Sequence, residues 1–175
     1  MYTIGHSTRG IEDFLGIMKK YKITALADVR LIPRSRANPQ FNQETLQTTL
    51  QSQGVEYHHF KGLGGHRRPV ENSLNTGWNN ESFQGYADYA QTEQFETNLR
   101  LLMEVAKTKV TTFMCAEIVP WRCHRSIIGD YLLVRGWDVV SIIDKGHARK
   151  QRLTSFAKVV NGMSLVYPSN MSRLD

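Results

Sequence analysis

The chain has 175 residues, 41% of them apolar and 22% charged, a size that suits one packed core and a composition too apolar for a disordered chain. No apolar run approaches the roughly 18 residues of a membrane-spanning helix, and Met1 leads almost directly into a strand-like segment without a signal-peptide pattern, so a soluble, cytoplasmic protein with no membrane partner is expected. Lys and Arg outnumber Asp and Glu by 22 to 16, and the excess is segregated: residues 19–36 hold six cations and one acid, 61–68 three cations, and 145–158 five cations and no acid. Gathered on one face, these segments suit an anionic partner such as a nucleotide, nucleic acid or phosphate; spread over helix surfaces, they are merely solvated.

Tyr2 to His6 reads as a short apolar strand. Ile11, Phe14, Leu15 and Met18 then recur at helical spacing, with Ser7 or Thr8 as a cap and Glu12 and Asp13 at the positive end of the helix dipole. A second strand at Thr24 to Arg30 completes a parallel strand–helix–strand unit. Residues 31–42 are irregular with two prolines, a helix spans Gln43 to Gln53 and stops at Gly54, and Val55 to Phe60 forms a third strand.

Residues 61–82 hold four glycines and four asparagines without apolar periodicity, which predicts a mobile lid or binding loop. Phe83, Tyr86, Ala87 and Ala90 mark a short helix, and Phe95, Leu99, Leu102 and Ala106 a longer one. Val110 to Met114 is a buried strand ending at Cys115. Ile128, Tyr131, Leu132 and Arg135 trace a further helix that stops at Gly136, and Asp138 to Ile143 is a fifth strand. A last strand is expected at Leu165 to Tyr167. The alternation predicts a single α/β domain with a mostly parallel, Rossmann-like sheet flanked by helices.

In such sheets ligands bind beyond the carboxyl ends of the strands. Strand one ends in Gly5-His6-Ser7, strand two in Asp28-Val29-Arg30, and strand four in Cys115-Ala116-Glu117; the next helix opens with Cys123-His124-Arg125. His6, Asp28, Cys115 and Glu117 are therefore the candidate catalytic groups. Arg30, Arg34, Arg67, His124 and Arg125 are the candidate substrate contacts, because arginine forks suit phosphate and a helix start favours anions. Asp28 and Glu117 can serve as acid and base, or each can simply pair with an arginine.

These motifs resemble the family catalogued as domain of unknown function 488. The resemblance runs from TIGHS at 3–7 through DVR at 28–30, PRSRANPQF at 33–41 and LGGHR at 63–67 to CAE at 115–117 and CHR at 123–125. It implies an α/β fold and positions that matter together, and supplies no mechanism.

Cys115 can act as a thiolate nucleophile activated by His6 or His124, or pack as a small hydrophobe. Six residues separate it from Arg122, one more than in a phosphatase loop. Cys115, Glu117, Cys123 and His124 are zinc- or iron-binding types, yet adjacent Cys123 and His124 are expected to diverge at a helix start, so no metal and no cofactor is assigned. Tyr57, His58, His59, Trp78, Tyr86, Tyr89 and Trp121 offer rings for stacking on bases. The function expected is an enzyme acting on a phosphate-bearing substrate, nucleotide or nucleic acid, with a non-catalytic nucleic-acid-binding module as the alternative.

Overall fold

The computed structural model describes residues 1–169. Its central sheet contains six strands: β1 (Tyr2–Gly5), β2 (Ala25–Asp28), β3 (Glu56–His59), β4 (Thr111–Cys115), β5 (Val140–Ile142) and β6 (Ala148–Lys150). Their spatial order is β3-β2-β4-β1-β5-β6, parallel except for the antiparallel edge strand β6. A hairpin of β7 (Lys158–Val160) and β8 (Ser164–Val166) forms a second, two-stranded sheet. The helices are α1 (Ile11–Lys20), α2 (Gln43–Ser52), α3 (Glu81–Tyr89), α4 (Glu93–Thr108) and α5 (Arg125–Leu133). The chain is thus α/β with a mostly parallel sheet covered on both faces, as its alternating pattern predicts.

The period of two along each strand divides the core. Ile4, Leu26 and Met114 point toward α1 and α2, where they pack with Phe14, Phe41 and Leu46. Ala27, Val29 and Phe113 point the other way, into a cluster with Tyr86, Phe95, Leu99, Ile128 and Tyr131 from α3, α4 and α5. The first helix begins one turn later than Ser7 or Thr8 would place it: Gly10 is its N-cap and supplies no side-chain oxygen. Gly54 and Gly136 take the left-handed φ of +72° and +82° expected of helix-stopping glycines.

The segment 61–82, expected as a mobile lid or binding loop, is tied to α3 by side-chain hydrogen bonds. Its backbone carries few apolar residues, but Asp88 on α3 ties it down by accepting from the Val70 amide, the Ser73 hydroxyl and the Asn75 side-chain amide at 2.6–2.9 Å. Asn75 is fully buried and its side-chain oxygen accepts from the Tyr167 amide. Trp78 packs on Phe83, Phe156 and Tyr167. A single buried carboxylate therefore supplies anchors that the apolar pattern of the segment does not.

The connection leaving β1 runs to α1 on one face, whereas the one leaving β4 runs to α5 on the other. β1 and β4 are hydrogen-bonded neighbours, with Gly5 opposite Cys115. Chains that depart to opposite faces leave a crevice between them, the topological switch point of an open parallel sheet.

Candidate functional site

A cleft of about 690 Å³ opens above this switch point. It is lined by His6, Ser7 and Thr8 after β1; Arg30, Arg34 and Ser35 after β2; Gly65 and His66; Tyr86 of α3; and Cys115, Glu117, Arg122, Cys123 and His124 after β4. Of the predicted site residues, His6, Arg30, Arg34, Cys115, Glu117 and His124 share this cavity. Asp28, Arg67 and Arg125 do not line it.

Asp28 is fully buried behind Arg30. Its carboxylate accepts from Arg30 Nε at 2.8 Å and Arg30 Nη2 at 2.5 Å, and from the Tyr57 hydroxyl at 2.7 Å. Residues i and i+2 at a strand end project to the same side, so the DVR sequence folds back on itself as a bidentate pair. Asp28 is placed to fix Arg30 rather than to meet a substrate. Tyr57, one of the rings considered for stacking, is fixed by the same carboxylate; burial pushes its phenol well above the usual range.

Arg30 in turn donates to the Phe41 carbonyl at 2.8 Å and contacts His6 Nε2 at 3.2 Å. His6 Nδ1 lies 2.8 Å from the Ser7 carbonyl, which makes Nδ1 the protonated nitrogen and Nε2 the acceptor from Arg30. The imidazole is stacked on Phe41, 4.2 Å between centroids. With both nitrogens engaged, His6 serves to orient the arginine.

Burial, reinforced by the Arg30 and Arg125 charges, lowers the His6 pKa from 6.5 to about 4. The unfolded chain therefore takes up this proton first, and the stability contributed by neutral His6 is present above pH 6.5 and lost as the pH falls toward 4. Asp130, raised by burial from 3.8 to about 6, acts in the opposite direction: its contribution falls as the pH rises through the same interval. The two effects offset each other in a bulk unfolding curve, so residue-resolved NMR titration is the appropriate measurement. The His6 ring is expected to titrate near pH 4, and a midpoint near 6.5 would contradict the buried arrangement.

Arg125, expected as a fork open to an anion, is 1% exposed. Its Nη1 donates to Thr3 Oγ1 at 2.9 Å and its Nη2 to the Glu117 carbonyl. It pins the loop after β4 onto β1 from beneath. Gly5 makes that closure possible, since a Cβ at this position would lie 2.0 Å from the Glu117 carbonyl oxygen. Arg67 stacks on the Tyr89 ring, 3.7 Å from its centroid, outside the cleft.

The loop after β4 turns through a 3-10 segment, Pro120–Arg122, before α5 begins. That turn carries Cys123 back toward the end of β4. Cys123 Sγ lies 3.6 Å from His124 Nδ1, so the adjacent pair converges where divergence was expected. The donor atoms of Cys115, Cys123 and His124 all lie within 4.8 Å of one another. His124 Nε2 lies 3.0 Å from the Val29 carbonyl, to which it donates.

The two thiols are not equivalent. Cys115, the expected nucleophile, is pushed up by its hydrogen bond to Cys123 and by burial. Cys123 is held well below the usual thiol range by that same bond, by His124 and by Arg125. The pair shares its protons, and the groups around it favour negative charge at Cys123, in keeping with the helix start expected to favour an anion or a thiolate.

Two arginines at the cleft remain open. Arg34 and Arg122 are exposed, and neither guanidinium has a hydrogen-bond or ion-pair partner among the described residues. Glu117 is the one carboxylate in the lining; its Oε1 accepts from the Val119 amide at 3.0 Å.

A family profile described as "Domain of unknown function DUF488" matches residues 10–132, most of the chain. The chain belongs to the DUF488 family. The DUF488 match contains the Asp28–Arg30 pair, Arg34 and the whole Cys115–Arg125 segment, and begins just beyond His6. No curated protein and no solved structure gives a match.

Proposed function

We propose that the chain is an enzyme that binds a phosphate-bearing substrate in the switch-point cleft, a nucleotide or a nucleotide unit of a nucleic acid, and cleaves or transfers a group there. The observation that carries this reading is the composition of the cleft: three arginines, two of them with open forks, face one carboxylate beside a cysteine–histidine pair. Arg34 and Arg122 bind the phosphate, and the fixed Arg30 charge adds to the field. Glu117 is the acid–base group, because Asp28 and His6 have their polar atoms engaged elsewhere.

A non-catalytic nucleic-acid-binding module is less well supported, because most of the rings considered as stacking platforms belong to the core. Tyr86 is 1% exposed, Trp78 sits in an aromatic cluster, and Tyr89 is covered by Arg67. Trp121, 62% exposed, is the most open of them. It borders a neighbouring groove with Arg149, Lys150 and Arg152 that shares Ile118 with the cleft. This groove favours a polynucleotide whose one unit enters the cleft. Two unpaired thiols and no membrane-crossing helix among the described residues fit a reducing, cytoplasmic setting.

The test is a titration of mononucleotides and short oligonucleotides at several salt concentrations. Arg34→Ala and Arg122→Ala are each expected to weaken binding by about tenfold or more, the usual loss for a charge-assisted hydrogen bond. Lys158→Ala, on exposed β7 away from the cleft, is expected to change it little. Oligonucleotides are expected to show the steeper salt dependence, since Arg149 and Arg152 then contribute. Equal losses for Lys158→Ala and Arg122→Ala, or no binding at low salt, would overturn the reading.

A further inference from the structure

We propose that Cys115, Cys123 and His124 hold one zinc ion in the floor of the cleft, with the fourth tetrahedral position open to substrate. The distances suit it. Zinc holds sulfur at about 2.3 Å and nitrogen at about 2.0 Å, so in a tetrahedron a sulfur and a nitrogen ligand stand about 3.5 Å apart. Cys123 Sγ and His124 Nδ1 are 3.6 Å apart, and Cys115 completes a set whose atoms all fall within 4.8 Å.

The imidazole is set for coordination. Because Nε2–H donates to the Val29 carbonyl at 3.0 Å, Nδ1 carries the lone pair and faces the sulfurs. Metal-bound histidines characteristically donate their other nitrogen in this manner, which fixes both tautomer and ring orientation. Space is left on the same side: Gly65 presents no side chain, and a Cβ there would come within 2.9 Å of His124 Nδ1.

Charge agrees with the geometry. Arg125 lies beneath the pair with hydrogen bonds only to neutral oxygens, those of Thr3 and Glu117. Two thiolates and a neutral imidazole neutralise the ion, so its burial carries little electrostatic penalty. All three residues line the cleft, so the remaining position faces the cavity, as in catalytic rather than structural zinc sites. A zinc ion there acts as a Lewis acid toward a phosphoryl oxygen or a bound water. The catalytic use of the ion rests on the function proposed above; its binding does not, and the test reads the metal directly.

The full chain is purified under anaerobic, reducing conditions, stripped with a chelator and titrated with Zn²⁺ or Co²⁺ in the absence of any phosphate-bearing ligand. One equivalent per chain is expected, with cobalt giving a thiolate-to-metal charge-transfer band and the intense visible bands of a tetrahedral site. X-ray absorption of the zinc form is expected to show two sulfurs at about 2.3 Å. Cys115→Ser, Cys123→Ser and His124→Asn are each expected to weaken zinc binding at least about tenfold, while His147→Asn, outside the cluster, leaves it unchanged. Should a cysteine variant fail to fold, the cobalt spectrum of the unaltered chain decides. The proposal is overturned if that chain takes up no stoichiometric metal, if the spectra lack sulfur ligation, if metal binds unchanged to Cys123→Ser, or if Cys115 and Cys123 form a disulfide that persists under reducing conditions. Zinc binding without anion binding would remove the proposed function and leave the metal site standing.

Discussion

Asp28→Asn is expected to lower the stability of the chain by about 3–5 kcal/mol, the loss that follows when one member of a buried ion pair is removed and the other charge remains. The substitution preserves shape but strips the charge that holds Arg30, which is only 6% exposed and lies between His6 and the Phe41 carbonyl. Tyr57 also loses an ionised acceptor. Urea unfolding followed by circular dichroism measures the difference. A loss below about 1 kcal/mol would mean that the pair is solvated and that Asp28 is free for acid–base work after all.

Gly5→Ala is expected to act on both stability and function. The added Cβ would stand 2.0 Å from the Glu117 carbonyl oxygen and 2.6 Å from the Ile118 Cα, and both neighbours are backbone atoms that cannot rotate away. The loop after β4 must move, which costs about 3 kcal/mol by analogy with overpacked cores. Arg125 then loses its grip on the Glu117 carbonyl. On the proposed acid–base role of Glu117, a displacement of about 1 Å is expected to lower turnover by about 100-fold. Gly10→Ala is the comparison, because nothing lies within 4 Å of a Cβ there; its effect is expected to stay within about 1 kcal/mol. Comparable losses from the two substitutions would separate the effect from loop closure.

The helical periodicity of 11–18 and of 95–102, the strand endings and the glycine stops were all legible in the chain, because burial on one face imposes a regular pattern. β6 and β7 were not. Ala148–Lys150 is exposed at every position, and Lys158–Val160 nearly so, leaving no alternation to read. The same limit applies to the site. Sequence order brought His6, Arg30, Cys115 and Glu117 to one sheet edge, but it did not distinguish an arginine offered to a ligand from one bonded to the fold. Arg30 and Arg125 are bonded to the fold, whereas Arg34 and Arg122 line the cleft with no partner among the described residues. The i, i+2 spacing of Asp28 and Arg30 was the available signal for pairing. The convergence of Cys123 with His124 depends on the short turn at Pro120–Arg122, whose backbone path no periodicity encodes.

The central claim, that the switch-point cleft is where the substrate sits, is tested most directly by NMR on the isotopically labelled chain during titration with a short oligonucleotide. The account predicts that amide shifts concentrate in 30–35, 65–66 and 115–124, the segments that line the cleft, and that Arg122→Ala sharply reduces them at matched ligand concentration. Shifts confined to 145–158, with the 115–124 loop unmoved, would contradict it and leave the basic edge strand as the binding surface.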